Sequence, residues 1–585
     1  MLVYIAIQYA VSESDLPLMS GAFVCGLSLC NQHTMVLFEV PLVSWIIYCE
    51  TQAGTLSLSK LVKSGSLFLA GLLPYAYLPY ASSHKKQGSW GDSSTLQGFV
   101  HHLRRGDYGT FRLFSSDKVE AGMLHRIGLY IYDILTRQGL YGCILILAVI
   151  GIWNFKANKK STFRHRTLGM SLFCTWLFYV IIFHYLSNMP LSQRLLFGVQ
   201  ARFWMQPNIL VFIFSGVGLG KCMVNRKRIL CFITCSVMVC SQIMLNFNIS
   251  DQSANDYLEL YARAIVAPIP PNSMLLIAYD QQWTSLRYLQ QCKQFRPDIT
   301  IVNAHMMTYT WFASYVDLYN NDENKCMKLP GSNWAMKNSA NHKNGAFSSS
   351  DLIQFNFDKC KGGVYFTGAL PYSKVETVED TFAIVNHGLV KQLIPRKTND
   401  NTDGVLIIGF DKWLERITVA LDNIALAMPV TSMPLLSKYD DETWEWTIVR
   451  DYVDNLSVIA SVILQYSIEE DHVNTILFAA FLYEVLEQSF PGFLNAADYK
   501  NLGLAYVKVI QSKSNSIQAK PQLRHNGHIN VLFNQTATIN SIKEAIAPRV
   551  VKYWSHFLSM DDAKLDSGFK NILSIVNHLK NIQTK

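Results

Sequence analysis

Three groups of polar residues interrupt the apolar first half of this chain, and their side chains are of the types that handle phosphates and protons. The first is the turn Asn31-Gln32-His33-Thr34, followed by Glu39 beside Pro41. The second runs from Trp90-Gly91-Asp92 to His101-His102-Leu103-Arg104-Arg105-Gly106-Asp107. The third holds Arg194 and the heptapeptide ARFWMQP (201–207), which contains Arg202. Arginine's planar fork matches a pair of phosphate oxygens, and a carboxylate can take the proton of an attacking hydroxyl. An ionisable group in or beside a bilayer is costly, so it marks a pathway or a site. Each group also has a plainer reading. Trp90 and Trp204 would serve as interfacial aromatics, Arg194 and Arg202 would snorkel to headgroups, and Glu39 would pack between helices. His101-His102 make a poor metal pair, because adjacent side chains diverge and no third ligand accompanies them, so no metal is expected.

The elements that must position these groups are hydrophobic runs at residues 18–30, 35–49, 67–80, 139–153, 168–186, 209–224 and 229–247, preceded by a stub at 2–10. Such runs mark helices that cross a bilayer, and none follows residue 247. Lys and Arg gather in three connectors, with Lys60 and Lys63 in the first, Lys156 to Arg166 in the second and Lys221 to Arg228 in the third. Two spans separate successive connectors, so all three face one side, which the positive-inside rule makes cytosolic. The last run then delivers the second half of the chain to the lumen. The same count makes the 82–138 loop, which holds Arg104 and Arg105, lumenal, and brings the three polar groups to that membrane face.

The expected organisation is a multi-spanning helical membrane domain over 1–247, a lumenal α/β domain over 248–440, and a lumenal helical, tetratricopeptide-like domain over 441–585. Half of the residues are apolar and only 16% are charged, the average of an oily half and an ordinary one. The net charge of +8 arises partly in the connectors and calls for no nucleic-acid partner. Nine of the twelve cysteines precede residue 248, and Cys231, Cys235 and Cys240 read as small packing residues. Of Cys292, Cys326 and Cys360, the pair expected to form a disulfide in an oxidising lumen is Cys326 with Cys360. Asn248, Asn455 and Asn534 head Asn-X-Ser/Thr triplets and are expected glycan acceptors.

Within the second half, 272–280 reads as a buried strand, 282–295 as a helix and 298–302 as a second strand, with further strands at 363–367 and 405–410. Asp280 is expected to cap the helix that follows it. From residue 443 apolar residues recur at helical steps through 444–467, 473–488 and 498–511, with Pro491-Gly492 as a break. Paired helices of this kind suit a client-binding repeat or a packed cap.

The segments GLSLCNQHTMVLFEVP (26–41), SWGDSSTLQGFVHHLRRGDYG (89–109) and ARFWMQP together resemble the membrane domain of GT-C-type glycosyltransferases, which use lipid-phosphate sugars. The whole chain, including residues 257–303, is similar to the protein O-mannosyltransferase family that modifies IPT domains of plexins and of hepatocyte-growth-factor-receptor-type kinases. The resemblance implies an endoplasmic reticulum membrane enzyme, dolichyl phosphate mannose as donor, no tightly bound cofactor, and Ser or Thr of IPT-domain receptors as acceptor. It points to Arg104, Arg105 and Arg202 for the donor phosphate and to Asn31 and His33 for the lumenal site turn. Enzymes of this type carry their acidic catalytic residue in a first lumenal loop, and Met1 here opens onto a half-length apolar stretch. The chain is therefore expected to be an N-terminally shortened form with Asp92 and Glu39 as fallback bases. The alternative is a catalytically inactive, membrane-anchored client-binding protein.

Overall fold

The computed structural model describes residues 1–84, 86, 88–104, 106, 122–138, 142–154, 162–192, 194–222, 228–251, 253, 255–323, 325–331, 333–334, 346–368, 378–396, 402–429, 443–512 and 539–583. The chain folds as two units, Met1–Ser253 and Ala254–Lys585.

Among its described residues the first unit contains α1 (Leu2–Val11), α2 (Leu16–Asn31), α3 (Val36–Gln52), α4 (Leu58–Gly71), α5 (Tyr77–Ser83), α6 (Leu96–Leu103), α7 (Met123–Asp133), α8 (Cys143–Asn154), α9 (Phe163–Leu186), α10 (Arg194–Cys222) and α11 (Arg228–Ser250). The described residues of the apolar runs lie for the most part on these helices, the run 67–80 being interrupted by a 3₁₀ turn at Leu73–Ala76, while 139–141 and 223–224 lie outside the described residues. Three, His33–Gln52, Phe163–Leu186 and Leu196–Cys222, are long and apolar enough to cross a bilayer. A bent pair, Leu58–Gly71 and Leu73–Ser83, meets at 44° across Leu72, just before Pro74, whose missing N–H ends the regular helix. Small residues let neighbouring helices touch backbone to backbone. A side chain at Gly26 of α2 would meet the Phe68 carbonyl of α4, and one at Gly218 of α10 would meet the Leu147 carbonyl of α8.

One expectation changes here. Lys60 and Lys63 belong to the first turns of α4, whose N-terminus Ser57 caps by accepting from Lys60 N at 3.2 Å. Residues 201–207 are helical, inside α10. Pro207 deprives the Phe203 carbonyl of its helical donor, and Tyr179 Oη on α9 supplies the missing bond at 3.1 Å, which is why the helix runs through the proline.

The second unit begins with α12 (Tyr257–Val266) and alternates β1 (Ser273–Ile277), α13 (Asp280–Lys293) and β2 (Thr300–Asn303). The short strands β3 (Asn333–Trp334) and β4 (Ala346–Phe347) pair with each other, and β5 (Gly363–Phe366), β6 (Phe382–His387) and β7 (Val390–Pro395) complete the main sheet. Its order is β2-β1-β5-β7-β6, with β1 parallel to β2 and β5 and with β5, β7 and β6 antiparallel in turn. All five residues of β1 are buried, as in a strand covered on both faces. Cys326 and Cys360 form the expected disulfide, with Cα atoms 4.9 Å apart.

Five short or medium helices, α14 (Val316–Asn320), α15 (Ser349–Phe357), α16 (Val378–Thr381), α17 (Gly404–Ile408) and α18 (Phe410–Ala427), surround or follow the sheet. The stretch 405–410, expected as a strand, is therefore helical. Asp403 caps α17 by accepting from Val405 N at 3.1 Å, and Gly409, at φ +89°, ends it. The C-terminal region is a run of long helices, α19 (Trp444–Glu469), α20 (Val473–Ser489), α21 (Ala496–Gln511), α22 (Ile539–Ser559) and α23 (Phe569–Gln583). Glu484 locks α20 to α22 from a buried position, accepting from Arg549 Nη1 at 2.6 Å and from Tyr553 Oη at 2.9 Å.

Candidate active site in the membrane unit

The site grows from the end of α2. The helix stops at Asn31, Gln32 turns extended, and a single 3₁₀ turn, His33–Met35, feeds α3. His33 Nε2 lies 2.8 Å from Tyr75 Oη, and that hydroxyl donates in turn to the Leu29 carbonyl at 2.9 Å. Nε2 is thus the donor to Tyr75, which fixes the imidazole against the break of the bent span. Gln206 of α10 clamps the same turn. Its Nε2 donates to Gln32 Oε1 at 2.8 Å, and its Oε1 accepts from Thr34 Oγ1 at 3.3 Å. The first and third polar groups therefore meet, although more than 170 residues separate Gln32 from Gln206. Arg202 lies one turn before Gln206 on α10, exposed, with its guanidinium 5.5 Å from the centre of the Phe203 ring. Asn31, the last residue of α2, is exposed.

Glu39 is 6% exposed on α3 and accepts from Ser28 Oγ of α2 at 2.7 Å. It lines an aliphatic groove of about 140 Å³ between α1, α2, α3 and α4, walled by side chains such as Leu18, Ala22, Leu42, Ile46 and Leu61. Glu50 and Lys60 also line it. Glu50 accepts from Tyr9 Oη at 2.7 Å, Arg164 Nη2 at 2.6 Å, Lys60 Nζ at 3.0 Å and Thr55 Oγ1 at 2.8 Å. Lys60 also reaches Asp15 at 2.8 Å. Asp15 precedes α2 and Asn31 ends it, so the charged knot and the polar turn lie at opposite ends of that helix, about 24 Å apart at 1.5 Å per residue.

Asp92 sits in a turn of its own: its Oδ1 accepts from Ser94 N at 3.0 Å and Ser94 Oγ at 2.6 Å, just before Thr95 caps α6. Gly98 lets the Asp92 carbonyl press against α6, since a side chain there would collide with it. Arg104 forms the C-cap of α6, while Arg105 lies outside the described residues. No group of three His, Cys, Asp or Glu side chains among the described residues is arranged to hold a metal.

The sequence reading did not single out Arg126 or the pair Glu50 and Arg164. Arg126 is fully buried, with Nη1 donating to Gln200 Oε1 at 2.8 Å and Nη2 to the Met189 carbonyl at 2.6 Å. It ties α7 to α10 and to the connection before it. Trp204 is 1% exposed, so the interfacial reading fails for it; its Nε1 donates to His184 Nε2 at 3.0 Å within a cluster of Tyr130, His184 and Phe197 rings. Of the glycan acceptors, Asn248 falls within α11 and Asn534 lies outside the described residues. Asn455 is half-buried within α19, and its Nδ2 donates to the Asp451 carbonyl at 2.7 Å, a poorer acceptor setting than a loop.

No family model and no solved structure matches this chain. Curated proteins do. A mouse protein named protein O-mannosyl-transferase TMEM260 is 33% identical over 306 residues, 50% of this chain and 42% of the mouse protein. Its Dictyostelium discoideum namesake is 26% identical over 530 residues, 85% of this chain and 61% of that protein. Both relatives are glycosyltransferases by name. The chain thus spans less than two thirds of the length of each relative.

Proposed function

We propose that this protein is a membrane-embedded O-mannosyltransferase that moves mannose from dolichyl phosphate mannose to Ser or Thr hydroxyls of IPT domains in the endoplasmic reticulum lumen. The observation that carries the reading is the similarity to two proteins named protein O-mannosyl-transferase, one of them over 85% of the chain. The polar turn supports it from the geometry, because Gln206 gathers the 31–34 turn, the bent span through Tyr75 and the Arg202 helix at one end of the bundle. The Cys326–Cys360 disulfide supports a lumenal second unit, since such bonds persist in oxidising compartments. The Lys60, Arg164 and Asp15 knot at the far end of α2 agrees with a cytosolic face there.

In this reading the bond between mannose C1 and the phosphate oxygen breaks while the acceptor oxygen bonds to C1. The hydroxyl proton passes to a carboxylate and the dolichyl phosphate leaves, giving one inversion. Arg104, Arg105 and Arg202 neutralise the departing phosphate. The aliphatic groove between α1 and α4 accommodates part of the isoprenoid tail. Glu39, whose carboxylate keeps lone pairs beyond its single bond from Ser28, and Asp92 are the two candidate bases, separated by comparing Glu39→Gln with Asp92→Asn. The test is transfer by the purified chain from dolichyl phosphate mannose to an IPT domain. Replacing Arg104 and Arg105 with alanine lowers it by about a hundredfold or more if these groups hold the phosphate. Undiminished transfer by that folded variant removes both from the mechanism, and an IPT domain that binds without ever being modified makes the chain a client-binding protein.

A further inference from the structure

Arg126 of α7 carries a permanent charge with none of its surface exposed. Shielding a guanidinium in or beside a bilayer is costly, and a well-packed aliphatic side chain in such a place often serves stability as well or better. Its position therefore needs a reason other than stability. The fork closes on α10 and on the connection before it: Nη1 donates to Gln200 Oε1 at 2.8 Å and to Ser187 Oγ at 3.3 Å, and Nη2 donates to the Met189 carbonyl at 2.6 Å. Ser187 Oγ donates to the same Gln200 oxygen at 2.8 Å.

Gln200 is itself fully buried, and its amide nitrogen has no partner among the described residues. The amide is thus turned by its oxygen toward Arg126 and Ser187 at the expense of a shielded, idle donor, which a network tuned for stability alone would not leave unpaired. Gln200 and Arg202 stand two residues apart, about 200° around the helix, so one faces α7 while the other is exposed. A bond that fixes the first face fixes the second. Beyond Arg202, α10 is held by Tyr179 at the Phe203 carbonyl, by His184 at Trp204 and by the 31–34 turn at Gln206. Before Arg202, among the described side chains, the hydrogen bonds that reach α10 from other elements come from Arg126 and Ser187, both to Gln200. Arg202 sits between these two sets of anchors.

We propose that Arg126 is a positioning residue for a lipid-linked phosphate, a role that rests on the proposed transfer and on Arg202 as a ligand of the departing group: through Gln200 it holds the Arg202 guanidinium where that phosphate leaves. Arg126 touches no substrate, being fully buried. A guanidinium meets a phosphate through two parallel bonds, and both are lost when the fork is turned or displaced. A displacement of about 1 Å can cost a reaction about a hundredfold. Arg126 thus governs where the charge of Arg202 lies, and Arg202 makes the contact.

The experiment is titration of the purified full chain in detergent with dolichyl phosphate, on wild type, Arg126→Met, Arg202→Ala and the double variant, with hydrogen exchange followed along α10 in wild type and Arg126→Met. Arg126→Met is expected to weaken binding by about tenfold while Arg202 is present and to change nothing once Arg202 is alanine, because a residue that acts through another has no effect of its own. Amides of residues 196–202 should exchange faster in Arg126→Met, and those of 208–215 at the wild-type rate. Arg126→Lys keeps the charge but replaces the fork with a point donor, so it is expected to fall between the two, and the same cycle and exchange are run with it if the methionine variant does not fold. Losses that add in the double variant overturn the proposal, as do equal binding by wild type and the Arg126 variants, unaltered exchange over 196–202, or a wild-type protein that binds no dolichyl phosphate. Mannosyl transfer is measured separately on the same preparations. A protein that transfers nothing yet shows the coupled loss of binding keeps Arg126 in this role and discards only the transfer.

Discussion

Two glutamates on one helix, three turns apart and lining the same groove, have been put to opposite uses. Glu50 is held by a tyrosine, an arginine, a lysine and a threonine, so its charge is matched on every side. Glu39 is almost as well buried but receives one hydroxyl, from Ser28. A buried carboxylate with a complete set of donors fastens helices together; one with spare acceptor capacity stands ready for a substrate proton. The first tethers α1, α3, α4 and α9, whereas the second lies close to the turn that Gln206 clamps.

The largest effect expected from this contrast is at Glu50. Glu50→Ala leaves Arg164 and Lys60 without their shared partner, and removing one side of a buried ion pair costs about 3–5 kcal/mol. Thermal unfolding in detergent should show that loss, and a variant as stable as wild type would mean the knot is ornamental. Glu39→Gln should do the reverse, keeping stability within about 1 kcal/mol because the amide still accepts from Ser28, while transfer falls by about a hundredfold if Glu39 is the base. Unchanged transfer in Glu39→Gln leaves Asp92 as the base. Next in size is Gly26→Val. Its side chain has no room against the Phe68 carbonyl, so α2 and α4 must separate and the groove between them widens, at a cost of about 1–3 kcal/mol. A melting temperature equal to wild type would show that the two helices can part freely.

The smallest effect belongs to an ion pair near the surface. Lys500 Nζ lies 2.8 Å from Asp566, and its hydrogen bond holds the Asp566 carboxyl below its ordinary value. A carboxylate shifted down in the folded state adds stability that is present above about pH 4, the unfolded value, and is lost as pH falls through the lower folded value. The acid side of the unfolding curve should therefore flatten slightly in Asp566→Asn, and an identical pH dependence in the two proteins would assign no role to the pair. Its partial exposure keeps the effect well below that of Glu50.

What could be read from the sequence follows the range of the forces involved. The described parts of the seven apolar runs are mainly helical, and the boundaries of α19, α20 and α21 fall within a few residues of their expected positions, because burial periodicity is local. The stretch 405–410 misled because its four aliphatic residues, 405–408, suit a strand or a helix equally; Asp403 before them and Gly409 after them carried the helical signal. The β6–β7 hairpin was missed although Gly388, at φ +70°, marks its turn. In the site, membrane parity brought the 31–34 turn and the ARFWMQP segment to one face, and Gln206 makes the contact. The helical path of that segment was hidden by Pro207, whose orphaned carbonyl is answered only by Tyr179 from another helix. Glu50 and Arg164 were beyond reach for the same reason: partners 114 residues apart leave no local trace.

The most direct test of the account is mannose transfer measured on wild type and Arg202→Ala side by side, with purified protein, dolichyl phosphate mannose and an IPT domain. The account predicts mannosylated Ser or Thr with wild type and a loss of about tenfold or more with the folded variant, because Arg202 shares a helix turn with the residue that clamps the site. Equal transfer by the two proteins, or none by wild type, would contradict it.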